Sequence, residues 1–147
     1  MLKSKIRNKL LKTRKNSNKK NIQIKFDKIY KLLKKTTNLR NKIVGGYYPV
    51  NYEIDDLDIL GRLEKKKITI SLPSIKKNYK MNFIKCSLNA PFVINQYGIP
   101  EPSSGTVVNP DILLVPLVAF DKNLNRLGYG AGYYDRLIES LKKKKKI

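Results

Sequence analysis

The stretch Arg126-Leu-Gly-Tyr-Gly-Ala-Gly-Tyr-Tyr-Asp135 constrains this chain more than any other. It follows the apolar run Ile112-Leu-Leu-Val-Pro-Leu-Val-Ala-Phe120 and leads into Arg136-Leu-Ile-Glu-Ser-Leu141, which has a helical pattern. The expected local order is strand, glycine loop, helix. Gly128, Gly130 and Gly132 alternate, and glycine lets backbone approach a ligand closely or take a positive φ. Free N–H groups at the start of the following helix favour an anion. Arg126 supplies a cation on one flank, and Asp135 supplies a candidate Mg²⁺ ligand on the other. The stretch reads as a nucleotide-phosphate site. It is neither a Walker loop, which ends in Gly-Lys-Ser/Thr, nor the dinucleotide fingerprint, whose third glycine is spaced differently.

Residue inventory narrows the chemistry. The chain has no histidine and a single cysteine, Cys86, so a Cys/His zinc site, a disulfide within the chain and a histidine-based triad are all excluded. Cys86 reads as a small buried residue in a strand. Among 147 residues, 41% are hydrophobic, enough for the core of one domain over residues 1–147. The formal net charge of +21 predicts attraction to polyanions. That excess is nearly all lysine and comes with abundant Asn and Ile, a trio that an A+T-rich genome favours. Codon bias is therefore the first explanation of the charge. No apolar run reaches membrane-spanning length and no signal-peptide core is present, so a cytoplasmic location is the expectation.

From the start of the chain, Leu2, Ile6 and Leu10 predict an apolar stripe on a first helix, with Lys3, Arg7 and Arg14 in a narrow arc beside it. Such an arc is either a solvated basic face or a phosphate clamp, and Arg7 is its sharper candidate because a guanidinium grips phosphate bidentately. Asn16 to Asn21 is a polar break, after which Ile22, Phe26, Ile29, Tyr30 and Leu33 predict a second helix ending near Thr36. Lys42 to Val50 reads as a first strand, Leu57, Leu60 and Leu63 as a helix capped by Asp55 or Asp56, and Ile68 to Pro73 as a second strand. Together they predict a right-handed βαβ unit with a parallel pair. Glu53 falls in the loop where such units bind ligands, or is simply a carboxylate at a helix start.

Lys80 to Leu88 reads as a more exposed strand. Tyr97 to Gly105 reads as a proline-stiffened turn holding Glu101, with a pocket-lining role second. Pro110 to Val118 predicts a central strand buried on both faces. Residues 141–147 are expected to form a lysine-rich tail. No internal repeat or second domain is evident.

Four stretches, in this order, resemble one family: Lys3-x-x-x-Arg7, Tyr47-Tyr-Pro-Val-x-x-Glu-Ile-Asp55, Gly98-Ile-Pro-Glu-Pro102, and Pro110 through Asp135. The chain is similar to the 5-formyltetrahydrofolate cyclo-ligases, or methenyltetrahydrofolate synthetases, over nearly its whole length. The resemblance implies a single α/β domain, a mostly parallel sheet flanked by helices in a Rossmann-like three-layer arrangement. It implies ATP- and Mg²⁺-dependent closure of 5-formyltetrahydrofolate to 5,10-methenyltetrahydrofolate, with ADP and phosphate released. Carried over by position, Lys3, Arg7, Arg126, Leu127, Gly128, Tyr129, Gly130, Ala131, Gly132, Tyr133 and Tyr134 would bind ATP. Tyr48, Glu53, Tyr129, Gly130, Gly132 and Tyr133 would contact the folate, Arg126 and Tyr133 would be catalytic, and Asp135 would hold Mg²⁺. Family members continue past the glycine-loop helix to a further acidic Mg²⁺ ligand, so the chain is expected to be a C-terminally shortened member. Its expected partners are the small-molecule substrates alone, bound by a monomer, without a membrane or specific nucleic acid. The alternatives are a basic nucleic-acid-binding protein and a non-catalytic remnant that binds nucleotide or folate.

Overall fold

The computed structural model describes residues 2–17 and 22–145. Helix α1, Leu2–Ser17, has no buried residue. Leu2 and Ile6 are 73% and 41% exposed, so the apolar stripe expected at Leu2, Ile6 and Leu10 is not what docks this helix. The half-buried positions are instead Arg7, Leu10, Leu11 and Arg14, spaced three, four and seven apart on one face. Two arginines anchor that face. Arg7 Nε donates to Gly128 O at 2.8 Å, and Arg14 Nη2 donates to Leu117 O and Val118 O at 2.6 and 2.8 Å. Only Asn16 and Ser17 of the expected polar break are described, and both continue the helix. Its remainder, residues 18–21, lies outside the described residues, as does Met1. Helix α2, Phe26–Thr36, begins later than the sequence pattern suggests, because Ile22 precedes it in coil and is 67% exposed. Phe26 and Leu33 are its buried positions, and Phe26 stacks on Tyr30 at 5.3 Å.

Strand β1, Ile43–Gly45, helix α3, Leu57–Lys65, and strand β2, Thr69–Lys76, form the expected βαβ unit, with Val44 opposite Ile70 in parallel register. Strand β1 is shorter than the Lys42–Val50 expectation. It leaves the ladder at Gly46, where a Cβ would meet Leu60 at 2.4 Å and the Asp56 carboxylate at 2.6 Å. At the start of α3 the two aspartates divide the work. Asp55 Oδ1 accepts the Leu57 N–H at 2.8 Å, while Asp56 turns inward to the Tyr47 N–H at 2.9 Å.

Strand β3, Lys80–Lys85, pairs antiparallel with β2 through a turn in which Asn78 and Tyr79 both have positive φ. It was expected to be the more exposed strand, yet Met81, Phe83 and Ile84 are buried and Phe83 is only 1% exposed. The reason is neighbours on both sides, β2 and the short strand β6, Val107–Val108, while helix α4, Tyr133–Lys145, lies against it. Strands β4, Phe92–Ile94, and β5, Pro100–Pro102, make a small separate ladder. Strand β6 is Val107–Val108 and strand β7 is Ile112–Leu113. Strands β8, Ala119–Phe120, and β9, Arg126–Leu127, form a hairpin, and helix α4 is Tyr133–Lys145.

The main sheet has the order β6-β3-β2-β1-β7. Its β1 half is parallel, as expected, and the antiparallel pairing of β3 with β2 and β6 makes the whole sheet mixed. The run Pro110–Val118 is not a central strand. Only Ile112 and Leu113 join the ladder, at an edge with β1 as their partner, and Pro116 brings no N–H to extend it. The central strand is β2. Its Pro73 lies past Ser71, the last residue that β1 reaches, so no parallel-ladder donor is lost there. The main core packs Val44, Ile70 and Leu72 against Phe26 and Leu33 of α2 and Ile59, Leu60 and Leu63 of α3. Leu141 is buried and α4 continues to Lys145, so residues 141–145 are helix rather than the start of a tail. Lys146 and Ile147 lie outside the described residues.

Candidate functional site

The glycine loop is framed by two tight local structures. On its N-terminal side, Asp121 closes the β8–β9 turn by accepting the N–H groups of Asn123 and Asn125 at 2.8 and 2.9 Å. These bonds, led by those from Asn125, hold its carboxyl below the usual range. On its C-terminal side, α4 begins at Tyr133, so the helix N-terminus faces the loop. Two of the three glycines have positive φ: Gly130 at 106° and Gly132 at 73°. Each also lies under a guanidinium. A Cβ on Gly130 would come within 3.3 Å of Arg7, and one on Gly132 within 2.7 Å of Arg136. Gly128 faces open space, and its carbonyl receives Arg7. Arg136 bridges Ala131 O at 2.6 Å to Tyr79 O at 3.1 Å, tying the loop to the β2–β3 turn.

Arg126 and Asp135, expected on opposite flanks, form an ion pair with each other. Arg126 also lies over the Tyr134 ring at 5.9 Å. Its side chain is 20% exposed and that of Asp135 is 76% exposed, so the carboxylate stays open to the cleft while the guanidinium is partly enclosed. Tyr133 exchanges a 2.9 Å hydroxyl bond with Tyr97 and packs beside Tyr79 and Arg136. That Tyr97 bond is the largest of the influences that push the Tyr133 phenol up to about 12. Tyr134 is turned inward, and its hydroxyl has no partner among the described residues. Burial holds that phenol neutral.

Across the cleft, Tyr48 leans on Phe92 at 6.2 Å, and Glu53 Oε2 accepts the Val50 N–H at 2.7 Å. Burial raises the Glu53 carboxyl above its usual range, opposed by the Val50 bond, the Tyr129 hydroxyl and the charge of Arg14. Tyr129 stands between the two sides: its hydroxyl accepts Arg14 Nη1 at 2.8 Å, and burial, followed by the nearby Glu53 carboxyl, pushes its phenol up. Lys3, Arg7, Tyr48, Glu53 and every residue from Arg126 to Asp135 therefore line one cleft of about 720 Å³.

Sequence reasoning missed Asn95 at the cleft and the way Arg14 is used beside it. Arg14 was visible only as the third member of a basic arc. Asn95 and Tyr97 lie in the turn between β4 and β5; Asn95 carries no spacing signal, whereas Tyr97, Gly98, Ile99 and Pro100 line the cleft as the second reading of the turn over 97–105 had it. Glu101 has a structural role, as expected first: its carboxylate accepts Ser74 Oγ, the Ile75 N–H and Asn95 Nδ2, latching the two sheets together. Cys86, just beyond β3, is half-buried, and burial pushes its thiol up to about 11, which suits packing rather than nucleophilic work.

The sequence and the fold that carry this cleft have counterparts in known proteins. Residues 1–146 match the profile of the 5-formyltetrahydrofolate cyclo-ligase family. The chain belongs to that family. It is 35% identical over 111 residues to the 5-formyltetrahydrofolate cyclo-ligase of Haemophilus influenzae, covering 70% of this chain and 59% of that one. It is 36% identical over 99 residues to the cyclo-ligase of Mycoplasma genitalium, covering 67% and 52%. Among solved structures, the 5,10-methenyltetrahydrofolate synthetase of Aquifex aeolicus superposes with a TM-score of 0.75 at 32% identity, over 95% of this chain and 73% of that one. The synthetase of Mycoplasma pneumoniae, at 22% identity and a TM-score of 0.65 over 95% of this chain and 78% of that one, shares the fold. This chain thus spans between half and three-fifths of the length of these two curated relatives. Among the described residues, no helix is long and apolar enough to cross a membrane.

Proposed function

We propose that this chain catalyses the ATP-dependent cyclisation of 5-formyltetrahydrofolate to 5,10-methenyltetrahydrofolate, acting as a monomer in the cytoplasm. The observation that carries the reading is the two-sided cleft, with a basic glycine cradle facing a wall of tyrosines and one partly buried carboxylate. The cradle suits a triphosphate: Lys3 and Arg7 come from α1, Arg126 from β9, and the N–H groups of residues 132–134 from the start of α4. The opposite wall suits a flat, hydrogen-bonding ring. Tyr48 offers a face, and the Glu53 carboxylate can receive N–H groups of a pterin.

The chemistry asks little of side chains as acids or bases. The formyl oxygen attacks the γ-phosphorus and ADP leaves. N10 then attacks the phosphorylated formyl carbon, gives up its proton, and phosphate departs. Catalysis of such transfers rests on positioning and on neutralising spread negative charge. Arg126 is suited to that task because Tyr134 and the Asp135 carboxylate fix its guanidinium before any ligand enters. Tyr133, the other proposed catalytic residue, stays protonated at neutral pH and can donate to a phosphoryl or formyl oxygen.

The residues fit a Mg²⁺ ion that arrives with the nucleotide. Asp135 offers a single exposed oxygen ligand, and among the described residues no cluster of three or more metal-ligating side chains exists. One carboxylate beside phosphate oxygens and water is the usual Mg²⁺ environment. When bound, the ion would neutralise phosphate charge, and Asp135 would hold it.

The test is direct. Purified chain is mixed with 5-formyltetrahydrofolate, Mg²⁺ and ATP, and the methenyl-folate absorbance band is followed beside a control without ATP. The expected result is an ATP-dependent rise, with Arg126→Ala lowering the rate by roughly a hundredfold or more. A flat trace from the unmodified chain overturns the proposal, and an undiminished rate in Arg126→Ala overturns the role of that residue.

A further inference from the structure

The turn between β4 and β5 is held more firmly than its exposure suggests. Tyr97 is 52% exposed, yet every polar atom of Asn95, two residues before it, is bonded. The Asn95 N–H donates to Ile99 O at 3.0 Å, and its carbonyl accepts the Gly98 N–H at 2.9 Å. Its Oδ1 accepts the N–H groups of Tyr97 and Ile99 at 2.9 and 3.2 Å, and its Nδ2 donates to Glu101 Oε2 at 3.1 Å. Glu101 is in turn fixed to β2 by Ser74 Oγ at 2.9 Å and the Ile75 N–H at 3.0 Å. From this anchored turn Tyr97 crosses the cleft to the glycine loop. Its hydroxyl lies 2.9 Å from that of Tyr133, and the two rings meet edge-on with centroids 6.3 Å apart.

We infer that Tyr97 is a positioning residue for Tyr133, and that Asn95 carries the rigidity of β2 to it from Glu101. Tyr133 is the first residue of α4, with Tyr79 and Arg136 packed on its ring, and the bond to Tyr97 is what fixes its hydroxyl. Either hydroxyl can donate in that bond. Tyr133 therefore keeps it as an acceptor when its own proton turns to a ligand oxygen. An oxygen that accepts one hydrogen bond while donating another is polarised by both, so the bond from Tyr97 strengthens the one to the ligand. The anchor matters because β4 and β5 pair only with each other. A two-stranded ladder is marginal by itself, and the bonds from Glu101 to β2 tie this one to the five-stranded sheet.

This inference rests on the proposed catalytic role of Tyr133, and its test separates the two. The full, ligand-free chain is labelled with carbon-13 at tyrosine Cζ, whose NMR shift reports the hydrogen bond of the hydroxyl. The Tyr133 signal is assigned by its loss in Tyr133→Phe. Tyr97→Phe keeps the ring and removes the hydroxyl, and is expected to move the Tyr133 signal. Asn95→Ala leaves Glu101 bonded to Ser74 and Ile75, and is expected to move that signal the same way. Asn95→Asp keeps an acceptor for the Tyr97 and Ile99 N–H groups but loses the donor to Glu101, so it decides the anchor if Asn95→Ala does not fold. An unmoved Tyr133 signal in Tyr97→Phe overturns the inference, and an unmoved one in the Asn95 variants overturns the part played by Glu101. Cyclisation kinetics then read the use of the bond. Tyr97→Phe is expected to lower kcat roughly tenfold, with KM for both substrates changing less than about twofold. It is expected to lower kcat much less in the Tyr133→Phe background than alone. An unchanged kcat, or an equal loss in both backgrounds, also overturns the inference. If the unmodified chain shows no cyclisation, the proposed activity falls while the Tyr133 signal still decides what Tyr97 does.

Discussion

Asp56 is the most deeply buried carboxylate among the described residues. Its side chain is buried, at 1% exposure, with Oδ2 on the Tyr47 N–H and Oδ1 without a partner among the described residues. Burial is the main cause that pushes its carboxyl up to about 7, with Asp55 and Glu53 adding to it and the Tyr47 bond opposing. The sign of the consequence follows from proton counting. Between about pH 4 and pH 7 the folded chain keeps a proton that the unfolded chain has released, so stability falls as pH rises through that window. The stabilisation is fully present below about pH 4, and its loss by pH 8 is on the order of a few kcal/mol. Asp56→Asn keeps an acceptor for Tyr47 and carries no charge. Thermal unfolding at several pH values should then show a decline from pH 5 to pH 8 that is distinctly shallower in Asp56→Asn than in the unmodified chain. Equal slopes would mean that Asp56 ionises without penalty, through water reaching Oδ1.

At the scale of elements, the glycine loop is built as one unit with helices α1 and α4, because Gly130 makes room for Arg7 of the first and Gly132 for Arg136 of the second. The three glycines look equivalent in sequence but are not equivalent in structure. Gly132→Ala puts a methyl at positive φ and 2.7 Å from the Arg136 guanidinium, and is expected to lower stability by about 1–2 kcal/mol. Gly128→Ala enters open space and should leave stability within about 0.5 kcal/mol. Denaturant unfolding of the two variants decides this, and equal losses would contradict the loop geometry. Residues that act within one short stretch were readable in sequence: the loop, the βαβ unit and the α3 core positions each follow a local period or spacing. What was not readable depends on partners distant in the chain. The exposure of Leu2 and Ile6 follows from α1 docking by arginines to carbonyls 121 and 103 residues away. The burial of Phe83 follows from β6, which a two-residue strand hardly announces. The run from Pro110 to Val118 has strand composition, yet its neighbours leave it an edge.

For the whole molecule, the net charge of +21 acts against compactness while serving the cleft. The ion pairs among the described residues are four, and three of them, Arg62–Asp58, Lys143–Glu139 and Lys42–Asp111, are substantially solvated. Pairs of that kind contribute little, so salt has little attraction to remove and much repulsion to screen. Raising NaCl from 0.05 to about 0.5 M, which shortens the Debye length from roughly 14 to 4 Å, should therefore raise the unfolding temperature. The same screening acts in the opposite direction on the cleft. On the proposed reading, Lys3, Arg7 and Arg126 would attract phosphate partly through solvent, so ATP affinity should fall over the same range. Ring contacts on the Tyr48 and Glu53 side depend on shape and short bonds, so folate affinity should fall less. Thermal unfolding and calorimetric titration on one salt series read all three quantities. An unfolding temperature that drops with salt would show that attraction among the four pairs outweighs lysine repulsion. Parallel loss of ATP and folate affinity would show that the cleft draws both ligands by charge alone, and the division into a phosphate wall and a ring wall would not stand.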